Sequence, residues 1–142
     1  IMQVNKVLTK EPVFVEDNDA KDYGTDPIEI SGQSISKAHL NLRYTFLNGG
    51  NHLIPHSISL LIAKDAQPDA RGYLSAELRH DAADDLQLNA NSGHVSFTLE
   101  NMPGFKEGTL KGFKIKTKTI KNETDIVEVT MNNNRKSMNF NI

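Results

Sequence analysis

Residues 39–46, HLNLRYTF, place Leu40, Leu42, Tyr44 and Phe46 in alternation with His39, Asn41, Arg43 and Thr45. A period of two over such a run means that one face of a β-strand is buried and the other is wet. The same signature returns at Val95/Phe97/Leu99, Phe113/Ile115, Val127/Val129/Met131 and Met138/Phe140/Ile142. The chain therefore reads as all-β. Working outward, strands are expected near residues 27–31, 38–47, 56–63, 72–80, 85–90, 94–100, 109–120, 125–131 and 136–142. The turns between them carry Asn48-Gly49-Gly50-Asn51, Gln67-Pro68-Asp69, Asn91-Ser92-Gly93, Pro103-Gly104 and Asn132-Asn133-Asn134. Short strands separated by Gly, Pro and Asn turns point to a two-sheet β-sandwich, immunoglobulin-like or jelly roll. Residues 70–85 are ambiguous. Leu74, Ala76, Leu78 and His80 alternate as a strand would, whereas the Ala, Leu, Glu and Arg content also suits one short helix.

The expected core comprises Leu40, Leu42, Tyr44, Phe46, Ile58, Leu60, Ile62, Val95, Phe97, Leu99, Phe113, Ile115, Val127, Val129, Phe140 and Ile142. Ahead of it, residues 1–8 read as a short strand and Val13–Val15 as a second short apolar patch after Pro12, followed by an acidic, Gly- and Asn-containing segment from Glu16 to Asp26. This divides the chain into an N-terminal strand or arm with an acidic linker, 1–26, and a β-sandwich domain, 27–142. The chain begins at Ile1 rather than Met, so it reads as a processed product or a fragment. A removed targeting segment would leave no trace in these residues.

At 142 residues with no Cys, the chain can bury a core without disulfides, and thiol catalysis and Cys–zinc sites are excluded. No apolar run is long enough to span a membrane as a helix. Net charge is −2 but unevenly placed, at −6 over residues 1–100 and +4 over residues 101–142. Such polarity suits stacking on copies of itself or docking on an acidic surface. Asn is frequent, with 14 residues, and Trp is absent, which weakens a sugar-stacking face.

Catalytic patterns do not emerge. There is no Gly-x-Ser-x-Gly elbow and no Gly-rich phosphate fingerprint. Asp81, Asp84 and Asp85 could pair as in glycoside chemistry, but no aromatic platform accompanies them. His52 and His56 have the spacing of a helical zinc pair, yet Pro55 between them makes a helix improbable. All five histidines are therefore expected to be solvated. His80 and His94 have no partner of recognisable spacing. Asp17, Asp19 and Asp22 form a candidate calcium loop, calcium favouring closely spaced carboxylates. The EF-hand order fails there, because Asp22 stands where glycine is required. No other cofactor is implied.

Lys114, Lys116 and Lys118 share one face of the strand that buries Phe113 and Ile115. Lysines on an outer strand discourage edge-to-edge pairing. The slightly acidic chain and the lack of flanking aromatics argue against nucleic acid. Docking on an acidic partner or another copy is the functional alternative. Met2 and Val4 are candidate anchors for an N-terminal strand added to a neighbour's sheet. Asn122-Glu123-Thr124 matches a glycosylation sequon.

Residues 91–142 resemble immunoglobulin-like modules of bacterial surface adhesins and phage tail or baseplate proteins. The likeness lies in a Gly-led strand from Gly93 to Glu100, a Gly-containing loop from Pro103 to Gly108, and a long strand bearing exposed lysines. The expected function is a non-enzymatic assembly or adhesion module of a bacterial surface appendage or phage virion. Its location would be extracellular, on the cell surface or in a virion, and its partner another copy or another structural protein. The alternative is a soluble sandwich that binds a carbohydrate or a calcium-dependent ligand.

Overall fold

A computed structural model describes residues 8–16, 20, 22–50 and 54–131. They form nine strands: β1 (Leu8–Lys10), β2 (Val13–Val15), β3 (Ile28–Ser36), β4 (His39–Asn48), β5 (Ser57–Ala63), β6 (Tyr73–Asp81), β7 (Asn89–Thr98), β8 (Gly112–Lys118) and β9 (Thr124–Thr130). One sheet has the order β1-β7-β4-β3 and the other β2-β5-β6-β8-β9. The two-sheet β-sandwich read from the sequence is the fold. Residues 73–81 are a strand, so the short helix considered near 70–85 does not form.

The alternation in β4 decides its packing. Leu40 and Leu42 are buried, while Arg43 is exposed. Opposite them in antiparallel register stand Phe97 and Val95 of β7, both fully buried. From the second sheet Ile58, Leu60, Ile62, Leu74, Leu78, Phe113 and Ile115 close the core. Ile28, Leu74, Leu78, Met102 and Leu110 join it without having been expected to. Phe140 and Ile142, with the strand at 136–142, lie outside the described residues.

Three expectations are corrected. Residues 8–15 are not an arm detached from the sandwich. β1 pairs in parallel with β7 and β2 in parallel with β5, one short strand in each sheet. Residues 85–90 do not form a separate strand. Instead β7 begins at Asn89 and runs through Asn91-Ser92-Gly93, where a turn was expected. Gly93 is there for packing: a Cβ at that position would lie 2.6 Å from the Tyr44 hydroxyl oxygen, on the strand it pairs with. An aromatic ring laid across a bare strand glycine explains the residue without a turn. Lastly, β8 is interior to its sheet, between β6 and β9, so its lysines guard no edge.

At the end of the sandwich where β4, β5, β6 and β7 meet, the chain from Asp22 to Pro27 closes over β6. Asp26 N–H donates to the His80 carbonyl at 2.9 Å, and Arg79 Nη1 donates to the Gly24 carbonyl at 2.8 Å. Gly24 has φ of +91°, and a Cβ there would run into the His80 carbonyl. Gly24→Ala is therefore expected to destabilise the fold by more than about 1 kcal/mol, the usual gain from stiffening a compatible glycine being reversed here. A urea midpoint equal to that of the parent chain would refute this approach of the two segments.

Candidate functional site

Three ionisable side chains from separate segments meet at this end. His56 precedes β5, His80 lies on β6, and Asp85 lies in the loop between β6 and β7. His80 is 1% exposed, and the side chains of His56 and Asp85 are 12% and 2% exposed. His80 points inward because the alternation of β6 places it on the same face as Leu74, Ala76 and Leu78. The rings of His56 and His80 stack with centroids 5.0 Å apart, and the Phe46 ring packs against both. The expectation of solvated histidines fails for these two residues.

Their hydrogen bonds form a single file. His80 Nδ1 stands 2.9 Å from the Pro27 carbonyl, His80 Nε2 stands 2.8 Å from His56 Nδ1, and His56 Nε2 stands 2.8 Å from Asp85 Oδ2. Pro27 and the Asp85 carboxylate only accept, so His80 Nδ1 and His56 Nε2 must both donate. Filling the central link requires one further proton. Two neutral imidazoles carry one N–H each, and both of these are used at the ends of the file. Burial pushes His80 below its ordinary value, only partly offset by its bond to Pro27, and charge on His56 lowers it further. Burial therefore disfavours placing that further proton on His80.

Asp85 is held in place by more than the histidine. Gly49 N–H donates to its Oδ2 at 3.1 Å and Leu86 N–H to its Oδ1 at 2.8 Å. The His56 bond, followed by the Gly49 amide, keeps its carboxyl below the usual carboxylate range. The file thus fastens Gly49, His56, the 82–88 loop and the 24–27 segment to one another. Beside it a concavity of about 480 Å³ is lined by Phe46, Asn48, Gly50, Ile54, His56, Asn89 and Asn91. Asn91 Nδ2 donates to Asn48 Oδ1 at 2.8 Å across its floor.

The file does not have the geometry of a Ser–His–Asp triad. A His–Asp pair can activate a nucleophile only if the second ring nitrogen faces one, and here His56 Nδ1 faces another histidine. Nor do the three side chains converge on a common point as metal ligands would. Asp81 and Asp84 do not pair with Asp85, whose carboxylate is already engaged. Sequence spacing could not reveal the file, because its members at 56, 80 and 85 meet only through strand pairing of β5 with β6.

The other anticipated site residues lie elsewhere. Asp22 is exposed near Gly24, while Asp17 and Asp19 fall outside the described residues, as do Met2 and Val4. Lys114, Lys116 and Lys118 share the outer face of the five-stranded sheet. Lys114 donates to Asp69 Oδ2 at 3.0 Å, and Lys116 and Lys118 are exposed. The Asp69 carboxyl is pulled down to about 2, chiefly by the Tyr73 amide and then by Lys114. That lysine braces a turn.

Residues 11–131 match the NigD-like C-terminal β-sandwich domain. The chain belongs to this family. Its fold is also that of solved structures from Bacteroides and Parabacteroides species. A toxin-related protein of Parabacteroides distasonis is 28% identical with a TM-score of 0.71, covering 94% of this chain and 65% of its own. A NigD-like immunity protein of Bacteroides caccae is 19% identical with a TM-score of 0.64, covering 89% of this chain and 61% of its own. A protein of Bacteroides fragilis named as a lipoprotein is 12% identical with a TM-score of 0.58, covering 89% and 70%. This chain therefore spans less than two thirds of the first two proteins. Comparison with curated proteins finds none that matches.

The family assignment overturns the expectation of an assembly or adhesion module of a surface appendage or virion. NigD-like domains and neighbours named for immunity or toxins take its place. The carbohydrate- or calcium-binding alternative has no counterpart among these names either. The misleading signals were generic. Alternating strands, glycine turns and exposed lysines recur across unrelated sandwiches, and a fold does not imply a function. Among the described residues no helix is long and apolar enough to cross a membrane.

Proposed function

We propose that this NigD-like chain acts by binding rather than by catalysis, as the sandwich portion of an immunity-type protein that neutralises a polypeptide toxin. Family membership over residues 11–131 carries the proposal. The named neighbours support it, one an immunity protein and one toxin-related. The geometry of the site is consistent with it, since the buried His56–His80–Asp85 file fixes loops instead of presenting a reactive group. The lipoprotein neighbour supports a location on the exported side of the cell envelope, where such a toxin would be met.

Deleting the gene should make the source strain sensitive to the culture supernatant of its own parent, and restoring it should return resistance. Purified chain added to that supernatant should reduce killing in proportion to its concentration. Unimpaired growth of the deletion strain in parental supernatant would reject the proposal.

A further inference from the structure

The loop joining β6 to β7 does something unusual with its apolar residues. Leu86 and Leu88 are 63% and 68% exposed, the two most exposed of the large hydrophobic side chains among the described residues. They do not hang on a loose segment. Ala82 is buried, and its N–H donates to Asp26 Oδ2 at 2.8 Å. Asp85 N–H closes a turn on the Ala82 carbonyl at 2.9 Å, and the Asp85 carboxylate is the end of the histidine file. Leu88 N–H then donates to the Asn48 carbonyl at 3.0 Å.

Between these anchors the backbone takes a costly path. Ala83 and Asp84 have φ of 53° and 64°, two successive non-glycine residues in the left-handed region. Such conformations persist only where surrounding contacts impose them, and they concentrate at functional segments. A loop pinned on both sides, bent against its preference and turned so that two leucines face water is pre-organised for contact. Rigid display of this kind reduces the ordering cost of association.

The surroundings indicate what it contacts. The described residues 48–50, 54–56 and 81–91 contain Asp81, Asp84 and Asp85 and neither Lys nor Arg. The Asp85 side chain is buried against His56, which leaves Asp81 and the exposed Asp84 as the acidic groups beside the leucines. The adjoining rim of Asn48, Asn89 and Asn91 offers amides to a peptide backbone. We propose that the 81–88 loop is the recognition element of this chain, inserting Leu86 and Leu88 into an apolar recess of a polypeptide partner whose rim is basic. The proposal rests on the binding reading above, to which it adds the surface and the chemistry of the partner.

The test uses the double variant L86D/L88D, with Ile126→Asp as a control, Ile126 being a 58% exposed apolar residue on β9. All replaced side chains are exposed, so both proteins should keep the circular dichroism spectrum and urea midpoint of the parent. Peptides selected from a random display library on the immobilised full chain should be enriched in Lys and Arg around apolar residues. Their affinity should fall by about tenfold or more in the double variant, as for loss of a central anchor, and should be unchanged in the control. In the supernatant assay the double variant should lose protection while the control retains it.

Failure of selection, or binders indifferent to the leucines, would overturn the proposal. So would protection by the double variant, and that outcome leaves the immunity reading standing. Leucine-dependent basic binders combined with an insensitive deletion strain would uphold the surface and reject immunity. If light scattering shows a parent dimer that the double variant abolishes, with protection intact, the loop serves a second copy and the proposed partner is wrong.

Discussion

Phe97→Ala should destabilise the protein by about 3–5 kcal/mol in urea unfolding, the range for emptying a buried aromatic site. Phe97 is fully buried on β7, with Lys10 of β1 on one side and Leu40 of β4 on the other. Both neighbours belong to hydrogen-bonded ladders, so the backbone cannot close around the vacated volume. The ring belongs to the cluster that includes Leu60, Leu74 and Phe113 of the facing sheet, so both sheets lose packing when it is removed. The unfolding slope should stay near that of the parent, because the same surface is exposed in both chains. A loss below about 1 kcal/mol, far under that range, would mean that Phe97 does not face the facing sheet.

That prediction depends only on a strand pattern, and strand patterns are where the sequence was informative. Leu40, Leu42, Val95, Phe97, Phe113 and Ile115 each lie on the face their alternation indicates. Val13–Val15, legible in sequence only as a short apolar patch after Pro12, is a strand. Failures came where a residue served two purposes. Gly93 reads as a turn glycine, yet it is bare because Tyr44 crosses it. Leu86 and Leu88 alternate as a strand would, but neither has a facing sheet, and the segment is set by the Asp85 carboxylate.

The candidate site was least legible of all. Nothing local links residues 56, 80 and 85. His80 could have been suspected, since it continues the inward alternation of Leu74, Ala76 and Leu78. A histidine on a core face needs partners for both nitrogens. Sequence supplies that demand but not its solution, which depends on the register of β5 with β6 and on a backbone carbonyl at Pro27. The partner-binding loop is hidden for a related reason. Exposure of a leucine and left-handed backbone at Ala83 and Asp84 are products of tertiary anchoring, not of local preference.

Replacing His80 tests the hydrogen-bond file itself. In the parent chain, acid should loosen this end of the molecule. His80 titrates below its ordinary value when folded, so between the folded and unfolded values the unfolded chain binds more protons. Stability from this group is present at neutral pH and is lost as pH falls below about 6.5, the unfolded value for histidine. The structural cause is plain. Protonating His80 puts a second N–H on a buried ring and turns its Nε2, 2.8 Å from His56 Nδ1, from an acceptor into a donor. Nearby Asp26 and Asp81 oppose that shift, and Asp85 is occupied with His56, so none of them cancels it. Asp85 acts in the same direction at lower pH, its depressed carboxyl giving up its contribution only in stronger acid.

His80→Leu keeps the apolar contact with Phe46 but strands the Pro27 carbonyl and His56 Nδ1. Each buried group left unpaired costs about 1–3 kcal/mol, so the variant should be markedly less stable at neutral pH. Its stability should then change little between about pH 7 and about pH 5, the interval over which the parent declines, because the group responsible is gone. Amide exchange at Gly49 and Leu86 provides the local readout. Both amides are tied to Asp85, and relative to the intrinsic exchange rate at each pH they should lose protection in acid in the parent and be weakly protected at either pH in the variant. A variant that retained the acid-dependent loss of the parent would show that the decline originates elsewhere. The loop bearing Leu86 and Leu88 would then be held without the histidine file. A variant with the pH dependence erased and the leucine loop loosened would tie the core of the sandwich to its binding end through the histidine file.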